Sequence, residues 1–347
     1  MNIHNSKTYL KDLDTAIAHT VGIESLSRRS ILITGATGTI GSFLTDMLVR
    51  YAEIYSTGSS IYAAGRNMER LQDQYGLCAG VTILPYDANK PIDFDKQIDY
   101  IIHAAGNAYP AAFNGNPVET IMGNLTGTYN LLEYGRTHGS RRVLYVSSGE
   151  VYGQGDLLLE EFDESYAGFI DIVSPRSGYP SSKRAAENLC ACYSSQFGLE
   201  TVIARPCHTY GPQITPNDNR ASVQFMRNAL KGEDIVMKSP GSQLRSYNYV
   251  ADCASAILTV LINGRSGEAY NIANPQIRLT IAEVANVIAK TAGKKVIFAN
   301  ADATDIANRT PISRQVLSSN KLEGLGWRGA YTIEQGIKHT MEILWGN

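Results

Sequence analysis

A short strand, a glycine-rich turn and a helix follow one another near the start of the chain, and this succession constrains the fold more than any other feature. The strand is the apolar run at 30–34, the turn carries Gly35, Gly38 and Gly41 in a GxxGxxG spacing, and a helical pattern covers 43–51. Glycine permits a tight turn and a close backbone approach, and a helix N-terminus presents free N–H groups to phosphates. The succession therefore predicts a site for a dinucleotide pyrophosphate at the first turn of a βαβ series.

The chain then repeats the alternation of strand and helix. Short apolar runs predict five more strands, at 60–64, 81–84, 100–103, 142–146 and 201–204. Two long helices are predicted between them, at 117–138 and 179–197. Continuous apolar strands separated by helices indicate an α/β fold with a doubly wound parallel sheet that is covered on both faces.

Three regions are predicted from this pattern. Residues 1–29 hold an amphipathic helix at about 7–23, which we interpret as a surface appendage because it precedes the first strand. Residues 30–210 are predicted to form the dinucleotide-binding domain with the catalytic residues. Residues 211–347 have shorter elements separated by Pro, Asn and Gly, which indicates mainly a substrate-binding lobe, with some chain returning to the first domain.

Composition excludes several classes of function. The formal net charge of the 347 residues is −2, so no global charge attracts nucleic acid or an anionic membrane. The five cysteines are scattered with no CxxC pair, which favours reduced thiols over disulfides or a zinc site. The chain starts without the apolar run of a secretory signal, and no stretch is apolar for long enough to span a bilayer. We therefore predict a cytoplasmic protein that binds no metal, nucleic acid or membrane.

A tyrosine and a lysine stand four residues apart at the start of the second long helix. This spacing places Tyr179 and Lys183 on one helix face. A phenol with an ordinary pKa of about 10 is a poor base at neutral pH, but a nearby ammonium and an oxidised nicotinamide favour the phenolate. Tyr179 is therefore predicted to take a proton from a sugar hydroxyl while a hydride leaves the same carbon.

Polar residues follow the strand at 142–146, and the carboxyl ends of strands are where open α/β sheets collect catalytic residues. Ser148 is predicted to orient the reacting hydroxyl by a hydrogen bond. Glu150 is predicted to remove a carbon-bound proton once the neighbouring carbon has become a ketone, and the alternative is a solvated loop glutamate.

The end of the second strand bears on the choice between two dinucleotides. Arg66 stands where an acidic residue would bind the ribose 2′-hydroxyl of NAD, and an arginine there can contact the 2′-phosphate of NADP. The position favours NADP over NAD, with an exposed helix-capping arginine as the alternative. Asp87 follows the third strand, where it either hydrogen-bonds the adenine or is an ordinary loop residue.

Together, the motifs resemble those of one group of enzymes. In chain order they are GxxGxxG, HAAG at 103–106, NxxGT at 124–128, SSxEVYG at 147–153, YxxxK at 179–183, RPxxxYGP at 205–212 and RSYxYVxD at 245–252. This set resembles the extended short-chain dehydrogenase/reductase superfamily and, within it, the NAD-dependent epimerase/dehydratase family that acts on nucleotide-sugars. The resemblance implies a Rossmann domain with a tightly bound, recycled NADP or NAD, and a C-terminal lobe that holds a nucleotide-diphosphate-sugar.

The resemblance also implies roles for individual residues. It implies a triad of Ser148, Tyr179 and Lys183, with Asn124 supporting the lysine, and a homodimer formed through the two long helices. The implied cofactor contacts are Gly35, Thr37, Gly38, Thr39, Ile40, Gly41, Arg66, Asp87, Ala88, Ala104, Ala105, Gly106, Asn124, Tyr179 and Lys183. The implied substrate contacts are Ser148, His208, Arg220 and Arg245. Arg245 is expected at the diphosphate, because a planar guanidinium suits phosphate oxygens.

Three residues depart from the family's pattern. His208 replaces the asparagine of RPxNxYGP, which changes the size and the titration of a substrate contact. Arg66 replaces the acidic residue that accompanies NAD. Gly149 stands where sugar 4,6-dehydratases carry an Asp or Ser that protonates the departing C6 hydroxyl. Decarboxylation of a 4-keto-uronic acid needs no such acid.

The leading hypothesis is an enzyme that oxidises C4 of a nucleotide-diphosphate-sugar, performs dehydratase- or decarboxylase-type chemistry at C5 or C6 with Glu150, and returns the hydride. The alternative is a sugar 4-epimerase, which needs neither Gly149 nor Glu150. A non-catalytic dinucleotide-binding sensor is a remote alternative, because such proteins usually lose the Tyr/Lys pair.

Overall fold

The computed structural model describes residues 3–106, 108–156, 158–215, 218–302 and 312–346. Seven parallel strands form its central sheet: β1 (Ser30–Thr34), β2 (Ser60–Gly65), β3 (Val81–Pro85), β4 (Tyr100–His103), β5 (Arg142–Val146), β6 (Thr201–Pro206) and β10 (Glu268–Ile272). Their order across the sheet is β10-β6-β5-β4-β1-β2-β3. This confirms the predicted doubly wound α/β fold, with the six predicted strands at their predicted positions. Pattern analysis missed β10, which arrives from the C-terminal part of the chain and pairs with β6.

The helices of the described residues connect and cover these strands. They are α1 (Lys7–Ala18), α2 (Thr39–Tyr55), α3 (Met68–Tyr75), α4 (Pro110–Gly115), α5 (Pro117–Thr137), α6 (Gly178–Phe197), α7 (Ala221–Leu230), α8 (Val250–Asn263), α9 (Ile281–Ala292), α10 (Asn320–Glu323) and α11 (Ile333–Trp345). The two long helices predicted from the sequence are α5 and α6, and they pack against each other. In the described part of the chain, no helix combines the length and the apolarity that crossing a bilayer requires.

The N-terminal helix α1 is not a surface appendage, contrary to the interpretation of its sequence. Tyr9 and Leu13 are buried in the main hydrophobic core. Asp12 is fully buried and accepts hydrogen bonds from the hydroxyls of Tyr249 and Tyr331, at 2.6 and 2.8 Å. The helix therefore packs between the dinucleotide-binding part and the C-terminal part, because its apolar face and this carboxylate have partners on both.

The C-terminal part carries a small mixed sheet that covers one side of the central sheet's carboxyl edge. Its strands are β7 (His208–Tyr210), β9 (Leu244–Tyr249), β11 (Arg278–Thr280) and β13 (Arg314–Gln315), with β9 pairing to the other three. A second pair is formed by β8 (Ile235–Met237) and β12 (Val296–Phe298). Since β7 follows β6 almost directly, it brings the small sheet next to the ends of the central strands.

Candidate active site

A cleft of about 1170 Å³ lies at the carboxyl ends of the parallel strands. One wall consists of the turn after β1 and the residues that follow β4 and β5. The other wall comes from the C-terminal part, including Arg220 and Arg245. Open α/β sheets bind their ligands in such a crevice, because the loops that leave the strand ends converge there.

The turn after β1 is shaped for a close approach of backbone to ligand. Gly35 has a φ of +71°, and a Cβ atom there would lie 2.7 Å from the carbonyl oxygen of Ala104. A Cβ atom on Gly41 would lie 2.2 Å from the carbonyl oxygen of Gly35. Gly38, which has no side chain to cap the helix, precedes α2, so the first N–H groups of α2 remain available at the cleft. The turn thus fits a dinucleotide pyrophosphate, which such N–H groups bind.

Tyr179 and Lys183 lie on the face of α6 that borders the cleft, and both are almost fully buried. Lys183 Nζ donates a 2.9 Å hydrogen bond to the carbonyl oxygen of Val146 and lies 4.7 Å from the centre of the Tyr145 ring. The same nitrogen lies 5.9 Å from the centre of the Tyr179 ring. Burial lowers the pKa of Lys183 to about 8, because the charged ammonium has lost much of its hydration.

The ionisation of Tyr179 is governed by its burial. Burial is the main cause that raises the pKa of Tyr179 to about 12, and it outweighs Ser148, which lowers the pKa, while the carboxylate of Glu150 also raises it. The sequence analysis expected Lys183 to favour the phenolate. In the protein alone the burial of the phenol outweighs the nearby cations, so Tyr179 is a neutral phenol near pH 7.

Glu150 is held at the cleft by a defined set of neighbours. Its backbone N–H donates a 3.1 Å hydrogen bond to Ser148 Oγ, and its Oε2 accepts one of 3.1 Å from Arg176 Nη2. The guanidinium carbon of Arg176 lies 4.4 Å from the centre of the Phe113 ring. Phe113 in turn stacks on Tyr179, with 5.0 Å between ring centres. Glu150 is therefore a fixed, paired carboxylate near the phenol and not a solvated loop residue.

Little space is left for a side chain between Ser148 and Glu150. A Cβ atom on Gly149 would lie 3.2 Å from Leu317 Cδ1 and 3.5 Å from the carbonyl oxygen of Pro206. Gln315 is buried and its Nε2 donates a 2.8 Å hydrogen bond to the carbonyl oxygen of Gly149. A larger residue at this position would begin in contact with Leu317, so its neighbours leave little room for a proton-donating side chain.

The two arginines of the opposite wall are already bound to protein groups. Arg245 is 2% exposed and donates hydrogen bonds to the carbonyl oxygens of Leu244 and Ile312. Arg220 forms a 2.7 Å ion pair with Asp218. These contacts hold both guanidinium groups in the wall of the cleft.

His208 lies beside these arginines and borders the cleft. Its ring centre is 5.6 Å from that of Tyr247. Burial and, to a smaller extent, the charges of Arg245 and Arg220 lower the pKa of His208 to about 3. His208 is therefore neutral near pH 7 and can offer one donor and one acceptor, as the usual asparagine would.

Most of the predicted site residues border this one cleft. They are Thr37, Gly38, Thr39, Ile40, Gly41, Arg66, Ala104, Gly106, Ser148, Glu150, Tyr179, Lys183, His208, Arg220 and Arg245. Five predicted residues, all within the described part of the chain, are not part of its lining: Gly35, Asp87, Ala88, Ala105 and Asn124. The predicted roles of these residues remain predictions.

The positions of two of these five have local explanations. Asp87 Oδ1 accepts a 3.0 Å hydrogen bond from the backbone N–H of Asn89, as a residue that closes a turn does. Asn124 is buried and donates a 3.0 Å hydrogen bond to Ser182 Oγ. Asn124 thus acts on α6 next to Lys183, and the structure records no hydrogen bond between the two among the described residues.

Several cleft residues were missed by the sequence analysis. Arg70, Phe113, Arg176 and Gln315 all line the cleft. Arg70 stands four residues after Arg66 at the start of α3, so helical spacing would have indicated it. Arg176 stands three residues before Tyr179 and was also within reach of pattern analysis. No sequence pattern indicated Phe113 or Gln315, because only the folded chain brings them to the site.

Comparisons with known proteins match the family that the sequence motifs resemble. The profile of the NAD dependent epimerase/dehydratase family matches residues 31–273. UDP-glucuronic acid decarboxylase 6 of Arabidopsis thaliana is 32% identical over 320 residues, which cover 90% of this chain and 87% of the relative. UDP-glucuronic acid decarboxylase 1 of Xenopus tropicalis is 31% identical, with 91% and 72% covered. The solved structure of Thermus thermophilus UDP-glucose 4-epimerase with NAD is 25% identical, with 91% and 99% covered and a TM-score of 0.75.

Proposed function

This chain belongs to the NAD-dependent epimerase/dehydratase family, and we propose that it decarboxylates a nucleotide-linked uronic acid, with UDP-glucuronate as the substrate. The predicted class of C5 or C6 chemistry contains both dehydration and decarboxylation. The curated relatives carry the names of UDP-glucuronic acid decarboxylases, which supports the second.

The observation that carries the proposal is the glycine at position 149, which offers no proton donor between Ser148 and Glu150. Dehydration of the sugar requires an acid that protonates the departing C6 hydroxyl, and the Leu317 side chain packs against this position, with Cδ1 3.2 Å from where a Cβ atom would lie. Decarboxylation requires no acid there, because carbon dioxide leaves without a proton. Glu150 remains available for a proton transfer at C5, which a 4-epimerase would not need.

Proton transfer at O4 is assigned to Tyr179 and Ser148. Tyr179 and Ser148 both line the cleft, and Ser148 is close enough to Tyr179 to lower the pKa of the phenol, so one sugar hydroxyl could contact both groups. The cofactor, when bound, accepts a hydride from C4 and returns it after decarboxylation, and its oxidised ring adds a positive charge that favours the phenolate. Tyr179 takes the proton of the C4 hydroxyl in the first step and gives it back in the last.

Glu150 is assigned the proton transfer at C5. Once C4 is a ketone, the bond between C5 and the carboxyl carbon breaks and its electron pair is delocalised onto the C4 oxygen. The reaction takes up one proton at C5, and Glu150, which lines the cleft beside Ser148 and Tyr179, would pass that proton from solvent to C5. Arg176 keeps the Glu150 side chain in one position through the 3.1 Å contact.

The reaction is tested by product analysis of the protein incubated with UDP-glucuronate. We expect a product that has lost carbon dioxide, seen by mass spectrometry and by proton NMR. Glu150→Gln should reduce its formation by about 10²- to 10⁴-fold, the usual contribution of a positioned acid or base. The matched control is Glu161→Gln, because Glu161 is also paired with an arginine but does not line the cleft.

Two other products would overturn the decarboxylase assignment. Loss of water from UDP- or dTDP-glucose would make the protein a 4,6-dehydratase despite Gly149. An isomer of unchanged mass whose formation is equally fast in Glu150→Gln would make it a 4-epimerase.

For the cofactor, we propose NADP in preference to NAD. Arg66 and Arg70 both line the cleft beyond the end of β2, next to the predicted dinucleotide turn. The acidic residues of the described lining, Glu150 and Asp218, lie in the catalytic region and the opposite wall. Two guanidinium groups suit a 2′-phosphate, whereas a carboxylate would suit the 2′-hydroxyl of NAD.

The cofactor proposal is tested by titrating the protein with NADPH and NADH while following the fluorescence of the reduced nicotinamide. We expect tighter binding of NADPH, and a loss of this preference by about 10-fold or more in the double variant Arg66→Ala, Arg70→Ala. Tighter binding of NADH by the unmodified protein would contradict it.

We also propose a homodimer that forms through α5 and α6. Val118, Met122 and Tyr129 are exposed apolar residues spaced along one face of α5, and Phe197 is exposed at the end of α6. A second copy of the chain would bury these side chains. Sedimentation analysis should give a dimer and Met122→Glu should weaken it, whereas a monomer at all concentrations would contradict the proposal.

The five free cysteines support the cytoplasm as the compartment of this protein.

A further inference from the structure

The cationic side chains near Tyr179 differ in how many of their donors are already used. Lys183 donates to the carbonyl oxygen of Val146. Arg245 donates to two backbone carbonyl groups. Arg220 makes three contacts with the Asp218 carboxylate and one with a backbone oxygen. These three cations are therefore held largely by the protein itself.

Arg176 has fewer of its hydrogen-bond donors in use. Its one hydrogen bond in the described part of the chain joins Nη2 to Glu150, so Nε and Nη1 have no hydrogen-bond partner there. Its side chain is 23% exposed and lines the cleft. The guanidinium nevertheless has a defined position, because it lies over the face of Phe113 at 4.4 Å and contacts Glu150 from the side. A planar cation held in this way has open donors for another anionic group.

We propose that Arg176 binds the carboxylate of the substrate's sugar and thereby selects uronic acids over neutral hexoses. This inference rests on the proposed decarboxylase function and assigns the residue that recognises its substrate class.

The placement of Arg176 relative to the catalytic groups supports this role. The Arg176 guanidinium lies over the Phe113 ring, and the same ring stacks on Tyr179, the phenol assigned to O4. In a uronic acid the carboxylate is attached to C5, the carbon next to C4. Arg176 donates a hydrogen bond to Glu150, the group assigned to C5, so a carboxylate attached to C5 would lie on the side of the cleft that Arg176 borders.

Charge supports the same role. A substrate carboxylate next to Glu150 would be repelled by that side chain, since two like charges a few ångströms apart in a partly buried site interact unfavourably. Arg176 contacts Glu150 with one nitrogen and keeps its other donors open, so one guanidinium can neutralise both carboxylates. A neutral hexose would leave these donors without a protein or substrate partner, which costs affinity.

The test compares the binding of three ligands to the cofactor-loaded protein by isothermal titration calorimetry. The ligands are UDP-glucuronate, UDP-glucose and UDP, and Tyr179→Phe is used as the background so that no substrate is consumed. In this background Arg176→Gln should weaken the binding of UDP-glucuronate by about 10- to 100-fold, as expected for a lost charged hydrogen-bonding partner. The affinities for UDP-glucose and UDP should change by less than about 3-fold.

Two further variants control for charge and for folding. Arg141→Gln removes an arginine that is paired with Asp99 at the opposite edge of the sheet, and it should leave all three affinities unchanged. Arg176→Lys keeps the charge but loses the planar fork, so the affinity for UDP-glucuronate should be intermediate. The unchanged affinity for UDP shows in each case that the site has folded.

The outcomes separate this inference from the proposed function. Equal affinity of Arg176→Gln and its parent for UDP-glucuronate overturns the inference, even when the unmodified enzyme releases carbon dioxide. An equal loss of affinity for all three ligands overturns it as well, because Arg176 would then support the whole site. A protein that prefers UDP-glucuronate through Arg176 but releases no carbon dioxide retains the inference and disproves the decarboxylase assignment.

Discussion

Burial determines the charge of several titratable side chains at and below the cleft. The pKa of Lys183 falls to about 8 and that of Tyr179 rises to about 12, so both prefer their neutral forms more than they do in water. The pKa of His103 falls to about 3 for the same reason. The Nδ1 of His103 lies 2.8 Å from Thr34 Oγ1 within the sheet. In its proposed role as a base, Tyr179 would need positive charge brought to the cleft.

Removal of the Tyr179 hydroxyl is the first prediction at this scale. Tyr179→Phe should lower the turnover number by about 10²- to 10⁴-fold, because the C4 hydroxyl loses its proton acceptor. The ring remains to stack on Phe113, so the fold and the affinity for nucleotide should be retained. Turnover measured with saturating nucleotide-sugar checks this, and full activity of the variant would rule out Tyr179 as the base.

The second residue-scale prediction concerns the pH dependence of stability. Since the pKa of His103 is lower in the folded than in the unfolded state, the unfolded state binds one more proton between about pH 6.5 and pH 3. The free energy of unfolding should therefore fall by up to about 1.4 kcal/mol per pH unit below pH 6.5, and His103 contributes nothing to this dependence above it.

The variant His103→Gln isolates this contribution. The slope of unfolding free energy against pH is measured by urea unfolding between pH 7 and pH 5. In the variant this slope should decrease by up to about 1.4 kcal/mol per pH unit, the contribution of one bound proton. His138→Gln is the control, because His138 lies in a more exposed position at the end of α5. An identical slope in His103→Gln and the unmodified protein would disprove the assignment.

At the scale of elements, helix α1 is joined to the rest of the molecule by a buried carboxylate. Asp12 accepts hydrogen bonds from Tyr249, on β9, and from Tyr331, just before α11. His339 Nδ1, on α11, lies 2.7 Å from the same carboxylate. Buried carboxylates are retained only with such partners, because the loss of hydration must be compensated. The helix therefore connects elements that are distant in sequence.

Asp12→Ala should destabilise the protein by about 3 kcal/mol, because it leaves two buried hydroxyls and a histidine without their acceptor. Asp14→Ala is the matched control on the same helix. Asp14 pairs with Arg50 at a 45%-exposed site, so its loss should cost less than about 1 kcal/mol. Urea unfolding of both variants measures the difference, and equal values would show that the Asp12 contacts contribute nothing specific.

At the scale of the whole molecule, one hydrophobic core crosses the boundary predicted at residue 210. The same cluster contains Leu13 of α1, Ile33 of β1, Tyr247 of β9 and Met341 of α11. The strand β10 also enters the central sheet from the C-terminal half. The chain on the two sides of residue 210 therefore shares one core, and we expect both parts to unfold together.

This expectation can be checked because both tryptophans, Trp327 and Trp345, lie in the C-terminal part. Trp327 is fully buried in the shared core, so its fluorescence reports on that part. During urea unfolding, tryptophan fluorescence and far-UV circular dichroism should give the same midpoint, as a single cooperative transition requires. A fluorescence transition at clearly lower urea would show that the C-terminal part unfolds by itself.

Much of the site could be predicted because its residues follow strand ends that the hydrophobic pattern locates. Gly38, Ser148 and Tyr179 each stand next to an element whose position is local information: an apolar run, a turn or a helical spacing. Arg176 and Arg70 also lie next to elements that the sequence predicts, although no role was predicted for either residue. By contrast, the contacts of Gln315 with Gly149 and of Phe113 with Tyr179 join segments that have no sequence relationship.

The sequence by itself determined the doubly wound sheet, the dinucleotide turn and the pair of Tyr179 and Lys183, because each depends on neighbours within a few residues. The tertiary structure alone decided that α1 belongs to the core, that β10 completes the sheet and that Leu317 packs against Gly149. It also decided the pKa values of the buried groups. Packing and burial depend on which distant segments meet, and that information is not contained in any local pattern.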